Sequence, residues 1–259
     1  MFEPVPGSVE RELGVPIPGR IVPPDQWART SLKRVPPGPI DFPALFGRSA
    51  PVVIDIGCGN GRSLLHSAVA RPEFDHLGLD ILPVVIRYAT RRANQRGLSN
   101  ARLAVIGGLE LLRDHIAPGS VTEIHCYHPQ PYYRMADVGK RLITPEFLRL
   151  AHRALVPGGL LRLQTDHPAY WKYIQQIVPV FFEWTDRREP WPNVRHGMTR
   201  RELMARRQGL SIFRGEGQAR IGLDPDEAER IAAELPLPKF NADRRLQQLD
   251  DQERRAKPS

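Results

Sequence analysis

Residues 52–65 read "VVIDIGCGNGRSLL". Val52 to Ile56 are apolar apart from Asp55 and rich in β-branched side chains, the composition of a strand buried on both faces. Gly57, Gly59 and Gly61 follow at alternate positions, and a helical pattern opens at Arg62. Glycine lets the chain turn tightly there and lets a ligand approach main-chain N–H groups at a helix start. The next apolar run, "HLGLDI", carries Asp80 at the separation expected of an acid that accepts hydrogen bonds from ribose hydroxyls. Strand, glycine turn, helix, strand and acid in that order say far more than a glycine triplet alone.

The spacing is G-x-G-x-G, where nicotinamide-dinucleotide sites have G-x-G-x-x-G. That form suits S-adenosylmethionine better than a dinucleotide. Asp55, inside the first strand, is placed to bond the loop backbone and hold its shape. Outward from this stretch, "ARLAVI", "TEIHCY" and "GLLRLQTD" are further short apolar runs, while "VVIRYATRRANQR" and "PEFLRLAHRALV" have helical periodicity. Such alternation predicts an α/β fold, a doubly wound, mostly parallel sheet with helices on both faces. "VPVFFEW" and "GLSIFRG" are read as its antiparallel edge strands. In this fold a ligand sits where the strand order reverses, beside the first strand. The fourth strand, "TEIHCY", flanks the first there, so "YHPQPYYR" (residues 127–134) overhangs the crevice. Cys58 and Cys126 then stand at neighbouring strand ends and read as packing or lining residues.

The 259 residues are 41% hydrophobic, enough to bury a large core, and 37 basic against 29 acidic side chains leave a net charge of +8. That balance suits a polyanion such as nucleic acid, or an arginine-rich proteome. Two cysteines far apart in sequence give no disulfide framework and no metal-ligand spacing. No run approaches a membrane span, so a cytoplasmic protein without metal is expected. Ten of the 26 prolines fall before residue 46, which reads as an extended arm pinned by Trp27 and Phe42. The final "NADRRLQQLDDQERRAKPS" reads as a frayed helix or a disordered tail.

With these motifs in hand, the chain resembles the tRNA (guanine-N7-)-methyltransferases from about Val52 to Gly215. The likeness rests on "DIGCGNGRSLL", "LGLD", "KRLITPEFLRLAHRALVPGGLLRLQTDHPAYWKYI" and "MTRRELMARRQGLSIFRG". It implies a Rossmann-like S-adenosylmethionine-dependent methyltransferase that methylates N7 of a guanine in tRNA. Carried over position by position, the cofactor loop is Gly57, Gly59 and Gly61, and the ribose acid is Asp80. Thr165 and Asp166 match a Thr-Asp pair whose aspartate helps hold the guanine. Thr199 and Glu202 match the terminal T-x-x-E motif beside cofactor and substrate. The residue reading and the resemblance together assign Asp55 and Glu202 to the cofactor, and Tyr132, Arg134, Thr165, Thr199 and Arg200 to the substrate. The expected arrangement is an arm over residues 1–45, a methyltransferase domain over 46–222 and a charged extension over 223–259.

Two positions depart from the family pattern. Its catalytic loop reads P-D-P-W-P-K, whereas this chain has Pro129, Gln130, Pro131, Tyr132, Tyr133 and Arg134. The family's acid-alanine pair near the adenine is Gly107 and Gly108 here. Guanine N7 carries no proton, so attack needs positioning and electrostatics and no general base. Gln130 still offers one acceptor but no charge, which predicts a slower reaction, with Gln130 and Asp166 orienting the base. Tyr132 and Tyr133 read equally as a base-stacking surface and as ordinary packing. The alternatives are a diverged methyltransferase acting on another RNA site or a small molecule, and a degenerate member that binds RNA or a partner.

Arg87, Arg91, Arg92 and Arg96 share a helix side and are read as a solvated face. Arg187, Arg188, Arg195, Arg200, Arg201, Arg206 and Arg207 flank Thr199 and Glu202 and are read as contacts to RNA phosphates. His167 and His196 near them are read as surface or packing residues.

Overall fold

The computed structural model describes residues 5–191, 197–241 and 243–255; Arg195 and His196 lie outside the described residues. The described chain opens with a hairpin of β1 (Arg11–Glu12) and β2 (Val15–Pro16), then β3 (Ser31–Leu32) and α1 (Phe42–Phe46). The alternating region begins with β4 (Val52–Ile56), α2 (Arg62–Ala70), β5 (Asp75–Asp80), α3 (Pro83–Gln95) and β6 (Ala101–Val105). A short α4 (Gly108–Glu110) runs into a π turn and leads to β7 (Val121–Tyr127). After it come α5 (Pro145–Ala154), β8 (Leu155–Thr165), α6 (Pro168–Phe181), β9 (Phe182–Arg187), α7 (Arg200–Arg207) and β10 (Phe213–Ala219). Helices α8 (Pro225–Glu234) and α9 (Arg244–Arg255) complete the described chain.

Among the described residues the main sheet has the order β3-β6-β5-β4-β7-β8-β10-β9. Its strands are parallel from β3 to β8, and β10 runs antiparallel to both β8 and β9. All five residues of β4 are buried, as two covered faces require. On one face Leu64, Leu65 and Ala68 of α2 meet Ile86, Ala89 and Ala93 of α3. On the other, the larger core joins Ile54, Leu77 and Ile124 to Phe147, Ile174 and Phe181 of α5 and α6. The order reverses beside β4, with β5 on one side and β7 on the other, so the crevice opens at the ends of these strands. This is the Rossmann-like fold with an antiparallel edge that the alternation predicts.

The edge differs in detail. "VPVFFEW" is divided between α6, which continues to Phe181, and β9, which starts at Phe182. Tyr170, Ile174, Ile177, Val178 and Phe181 keep a helical apolar stripe buried across Pro179, and that packing outweighs the proline. Strand β10 likewise begins at Phe213, later than "GLSIFRG" implies.

Among the described residues, the segments before α1 and after β10 both pack against the core. Leu13 and Gly14 turn the first hairpin at φ of 49° and 72°, the positive values that two-residue hairpin turns use. Ile17, Ile21, Ile40 and Phe42 are buried, each contributing roughly 2 kcal/mol, while Trp27 stays partly exposed. Glu10 pairs with Arg92 at 2.8 Å and with Arg96 at 3.1 Å. These two arginines are therefore buried against the N-terminal segment and are no solvated face; Arg87 and Arg91 are exposed. At the other end, Tyr173 donates through its hydroxyl to Pro236 O at 2.7 Å, and Leu246 of α9 is buried. Of the two readings of the tail, a frayed helix or disorder, the structure has the helix, α9, and α8 precedes the tail. No helix among the described residues is long and apolar enough to cross a membrane.

Candidate active site

The glycine turn leaves β4 with Gly57, Gly59 and Gly61 at φ of 75°, 56° and 80°. Gly57 N and Cys58 N donate to Leu79 O at 2.8 and 2.9 Å, which ties the turn to β5. Gly59 N donates to Asp80 Oδ2 at 3.2 Å and Leu82 N to Asp80 Oδ1 at 2.9 Å. The loop-holding bonds expected of Asp55 are made by Asp80. Gly57, Gly59, Asp55 and Asp80 line a cavity of about 1050 Å³, whereas Gly61 sits behind it at the start of α2. A Cβ on Gly61 would come within 2.8 Å of Ala89 Cβ, so this glycine serves the packing of α2 on α3. Burial, reinforced by the charge of Asp80, pushes the Asp55 carboxyl up to about 7. Cys58 and Cys126 also line the cavity, and burial raises both thiols well above their ordinary range, as suits lining residues.

The "YHPQPYYR" loop leaves β7 at the far side of the reversal. His128 and Tyr132 take φ of 54° and 44°, left-handed values that cost a non-glycine residue on the order of 1–3 kcal/mol unless contacts compensate. The compensation at Tyr132 is Arg141, fully buried, which donates to Pro131 O and, at 2.9 Å, to Tyr132 O. The same guanidinium donates to Pro238 O and Phe240 O and lies over the Phe240 ring, so the C-terminal segment and the loop share one anchor. Gln130 and Tyr132 line the cavity, Gln130 being exposed. Arg134 points away, 83% exposed and 3.9 Å from Asp137.

Behind the loop, β8 supplies Gln164, Thr165 and Asp166. His128 N donates to Gln164 O at 2.6 Å, extending the β7–β8 pairing by one residue. Gln164 Oε1 accepts from Trp191 Nε1 and Arg214 Nε, both at 2.8 Å, which fixes the orientation of its amide. Its Nε2 therefore donates, to Glu202 Oε2 at 2.9 Å and to His128 Nε2 at 2.9 Å. An imidazole that accepts at Nε2 carries its proton on Nδ1, and Nδ1 lies 3.1 Å from Asp166 Oδ1. Asp166 Oδ2 meets Arg201 Nε at 3.0 Å. Burial works to raise the Asp166 carboxyl, but His128 and Arg201 outweigh it and hold the group well below the carboxylate range. Asp166 is an ionised carboxylate on the cavity wall.

The T-x-x-E motif has the spacing of a helix capping box, and Thr199 behaves as one, accepting from Glu202 N at 3.0 Å. Glu202 does not return the bond. Its carboxylate turns inward to Arg214 at 2.5 Å, Arg206 at 2.9 Å and Gln164, with no place on the cavity wall. The family-based expectation places Glu202 beside the cofactor; in the structure its carboxylate is engaged by buried Arg214 and exposed Arg206 behind Asp166. Thr165, Thr199 and Arg200 do line the cavity. Arg200 Nη1 meets Glu12 Oε1 at 3.0 Å, and Glu12 also accepts from Asn60 Nδ2 at 2.8 Å.

Sequence reasoning missed Glu12, His128, Gln164 and Arg141. Only His128 carried a local signal, a titratable side chain between strand and prolines two residues before Gln130. The others depend on contacts between distant segments. The glycine-turn side of the cavity is open to a ligand. A Cβ at Gly57 or Gly59 would meet nothing within 4 Å, leaving backbone open to a ligand, and Asp80 and Ile81 stand next along the wall.

The family model described as "Putative methyltransferase" matches residues 49–214. A tRNA (guanine-N(7)-)-methyltransferase of Halorhodospira halophila is 40% identical over 133 residues, 51% of this chain and 58% of that protein. One of Bordetella pertussis is 31% identical over 180 residues, 68% of this chain and 70% of that protein. The chain thus spans less than two thirds of the Halorhodospira relative and slightly more than two thirds of the Bordetella one. Among solved structures, the 16S rRNA methyltransferase KamB superposes with a TM-score of 0.53 at 18% identity, covering 74% of this chain and 98% of that one. A variant of the Catenulisporales acidiphilia 16S rRNA (adenine(1408)-N(1))-methyltransferase, solved with SAM, gives 0.51 at 18% identity over 70% and 92%. At such identity the structures share the fold. Taken with the glycine turn, Asp80, the Thr165–Asp166 pair and T-x-x-E, these matches place the chain in the tRNA (guanine-N7-)-methyltransferase family.

Proposed function

We propose that the chain binds S-adenosylmethionine along the glycine-turn side of the cavity and methylates N7 of a guanine in tRNA. One observation carries the reading: the turn of Gly57 and Gly59 with Asp80, and the ionised Asp166 with Thr199 and Arg200, line a single cavity. The cofactor would be held by the backbone at Gly57 and Gly59, with Asp80 at its ribose and Asp55 near the turn. When bound it supplies an electrophilic methyl group on a sulfonium.

The rest is the work of the chain. Guanine N7 presents an in-plane lone pair and no proton, so orientation and charge decide the rate. Asp166 can accept from the N–H edge of the guanine and offset the positive charge that grows on the ring. His128 and Arg201 keep it ionised and fixed in direction. Gln130 adds a neutral acceptor from the loop, and Tyr132 a ring on which the base can stack. Thr199 and Arg200 lie where a ribose or phosphate of the RNA would enter, and the net charge of +8 favours a polyanion. Incubation with S-adenosylmethionine and unmodified tRNA, followed by borohydride–aniline cleavage, tests the reading. Strand scission at one guanine is expected, and uncleaved tRNA after incubation with cofactor-competent protein refutes it.

A further inference from the structure

The C-terminal segment reaches the site from outside the region that the family model matches. Phe240 lies 4.9 Å from the Tyr170 ring and 5.0 Å from His167, and the Arg141 guanidinium stacks on it from the loop side. From that anchor the chain enters α9, whose Gln252 Oε1 accepts from Gln208 Nε2 at 2.9 Å, just past the end of α7. The anchor is on α6 and the far contact is beside α7, so the segment crosses the end of β8 between them. Leu246 stands in that crossing. It is 2% exposed and lines the cavity together with Tyr132, Asp166, His167 and Arg201, the side proposed to take the RNA.

Two observations show that this closed position is weakly held. Among the described side chains of α9, Leu246 is the buried one, while Arg245, Gln247, Gln248, Asp251 and Gln252 are exposed. Next to the Phe240 anchor, His167 Nδ1 accepts from Tyr170 N at 3.2 Å, which puts the ring proton on Nε2. Burial holds this imidazole below its ordinary range, and Nε2 is buried without a partner among the described residues. An unsatisfied buried N–H costs about as much as the burial of one leucine returns. In sequence, Gln252 stands within the acidic run DDQE (residues 250–253), and Gln208 follows Arg206 and Arg207. A polyanion drawn to the arginines of α7 therefore competes with α9 for the same helix. We propose that α9 is a lid over the RNA side of the cavity, held shut by Leu246 in the free protein and displaced when RNA binds. The proposal rests on the RNA reading above and leaves the cofactor side untouched. Because the open form is the one that admits RNA, the apparent affinity for tRNA is the intrinsic one reduced by the open fraction.

Two variants of the full chain test this by tRNA binding, read from the anisotropy of a labelled unmodified tRNA, with S-adenosylhomocysteine calorimetry as the control for folding. Leu246→Ser removes the latch and is expected to tighten tRNA binding by roughly threefold or more. Gln208→Cys with Gln252→Cys, joined by a short bifunctional maleimide, fixes the lid shut. It should bind tRNA roughly tenfold or more weaker than Gln208→Cys alone treated with the same reagent. Affinity for S-adenosylhomocysteine should stay within about twofold of wild type in both. Weaker tRNA binding by Leu246→Ser with cofactor affinity kept would make Leu246 a wall of the pocket and overturn the lid. Undiminished tRNA binding by the cross-linked protein would overturn it too, and decides alone if Leu246→Ser fails to fold. A wild type that binds S-adenosylhomocysteine but no tRNA sinks the RNA reading and the lid with it. Binding of tRNA that is indifferent to both variants removes the lid alone.

Discussion

His128 Nδ1 donates to Asp166 Oδ1 across 3.1 Å, and the proton on that nitrogen is set by Gln164, whose amide Trp191 and Arg214 hold in one orientation. The carboxylate proposed to orient the guanine is thus aimed by a residue of the loop that carries Gln130. Coupling of this kind links loop geometry to the charge at the site without any additional group touching the substrate.

His128→Ala should therefore lower kcat by roughly 10- to 100-fold while leaving S-adenosylhomocysteine affinity within threefold. His128→Gln, which can still donate near Asp166, should recover part of the loss. Steady-state kinetics on tRNA together with calorimetry decide it; a change confined to cofactor affinity would contradict the assignment of His128 as a positioning residue.

Gln130 faces the cavity with a neutral amide. Gln130→Asp should raise kcat by about tenfold, since charge-assisted hydrogen bonds are roughly twice as strong as neutral ones. A drop in rate would mean that the loop, with His128 and Tyr132 in left-handed conformations, is built around the amide.

Arg141 satisfies carbonyls of the loop and of the C-terminal segment at once. Arg141→Met should destabilise the fold by about 2–4 kcal/mol through unpaired buried carbonyls and raise KM for tRNA. Denaturant unfolding gives the first number. Equal stability would show that solvent replaces the guanidinium without penalty.

Asp55 makes stability depend on pH. Burial raises its carboxyl from an ordinary 3.8 to about 7, so between those values the folded chain keeps a proton that the unfolded chain has lost. Stability is then undiminished below pH 4, falls as pH rises through this window, and is lower by about 4 kcal/mol above it. Asp55→Asn, which never ionises, should melt above wild type at pH 8, with the gap narrowing by half or more at pH 5. A gap independent of pH would show that Asp55 is not held protonated.

The doubly wound core was legible because its cues are local. Val52–Ile56, Gly57, Gly59 and Asp80 announce a strand, a turn and an acid within thirty residues, and the reversal beside β4 follows from strand count. What escaped depends on partners far along the chain. Arg92 and Arg96 have the spacing of a solvated face, and it is the N-terminal segment, through Glu10, Glu12 and the Pro18 carbonyl, that buries them. Glu202 stands at the spacing of a capping residue, yet Arg214 on β10 draws it inward. His128 gained its role from the register of β7 on β8, which no single-segment pattern reports.

The central claim is that Asp166 orients a tRNA guanine for methylation at N7. The most direct measurement compares wild type and Asp166→Asn on one unmodified tRNA, by borohydride–aniline cleavage after incubation with S-adenosylmethionine. The account predicts cleavage at a single guanine with wild type, at least 100-fold slower methylation with Asp166→Asn, and S-adenosylhomocysteine affinity equal within threefold. Comparable methylation by the two proteins, or no cleavage by a wild type that binds the cofactor product, would contradict it.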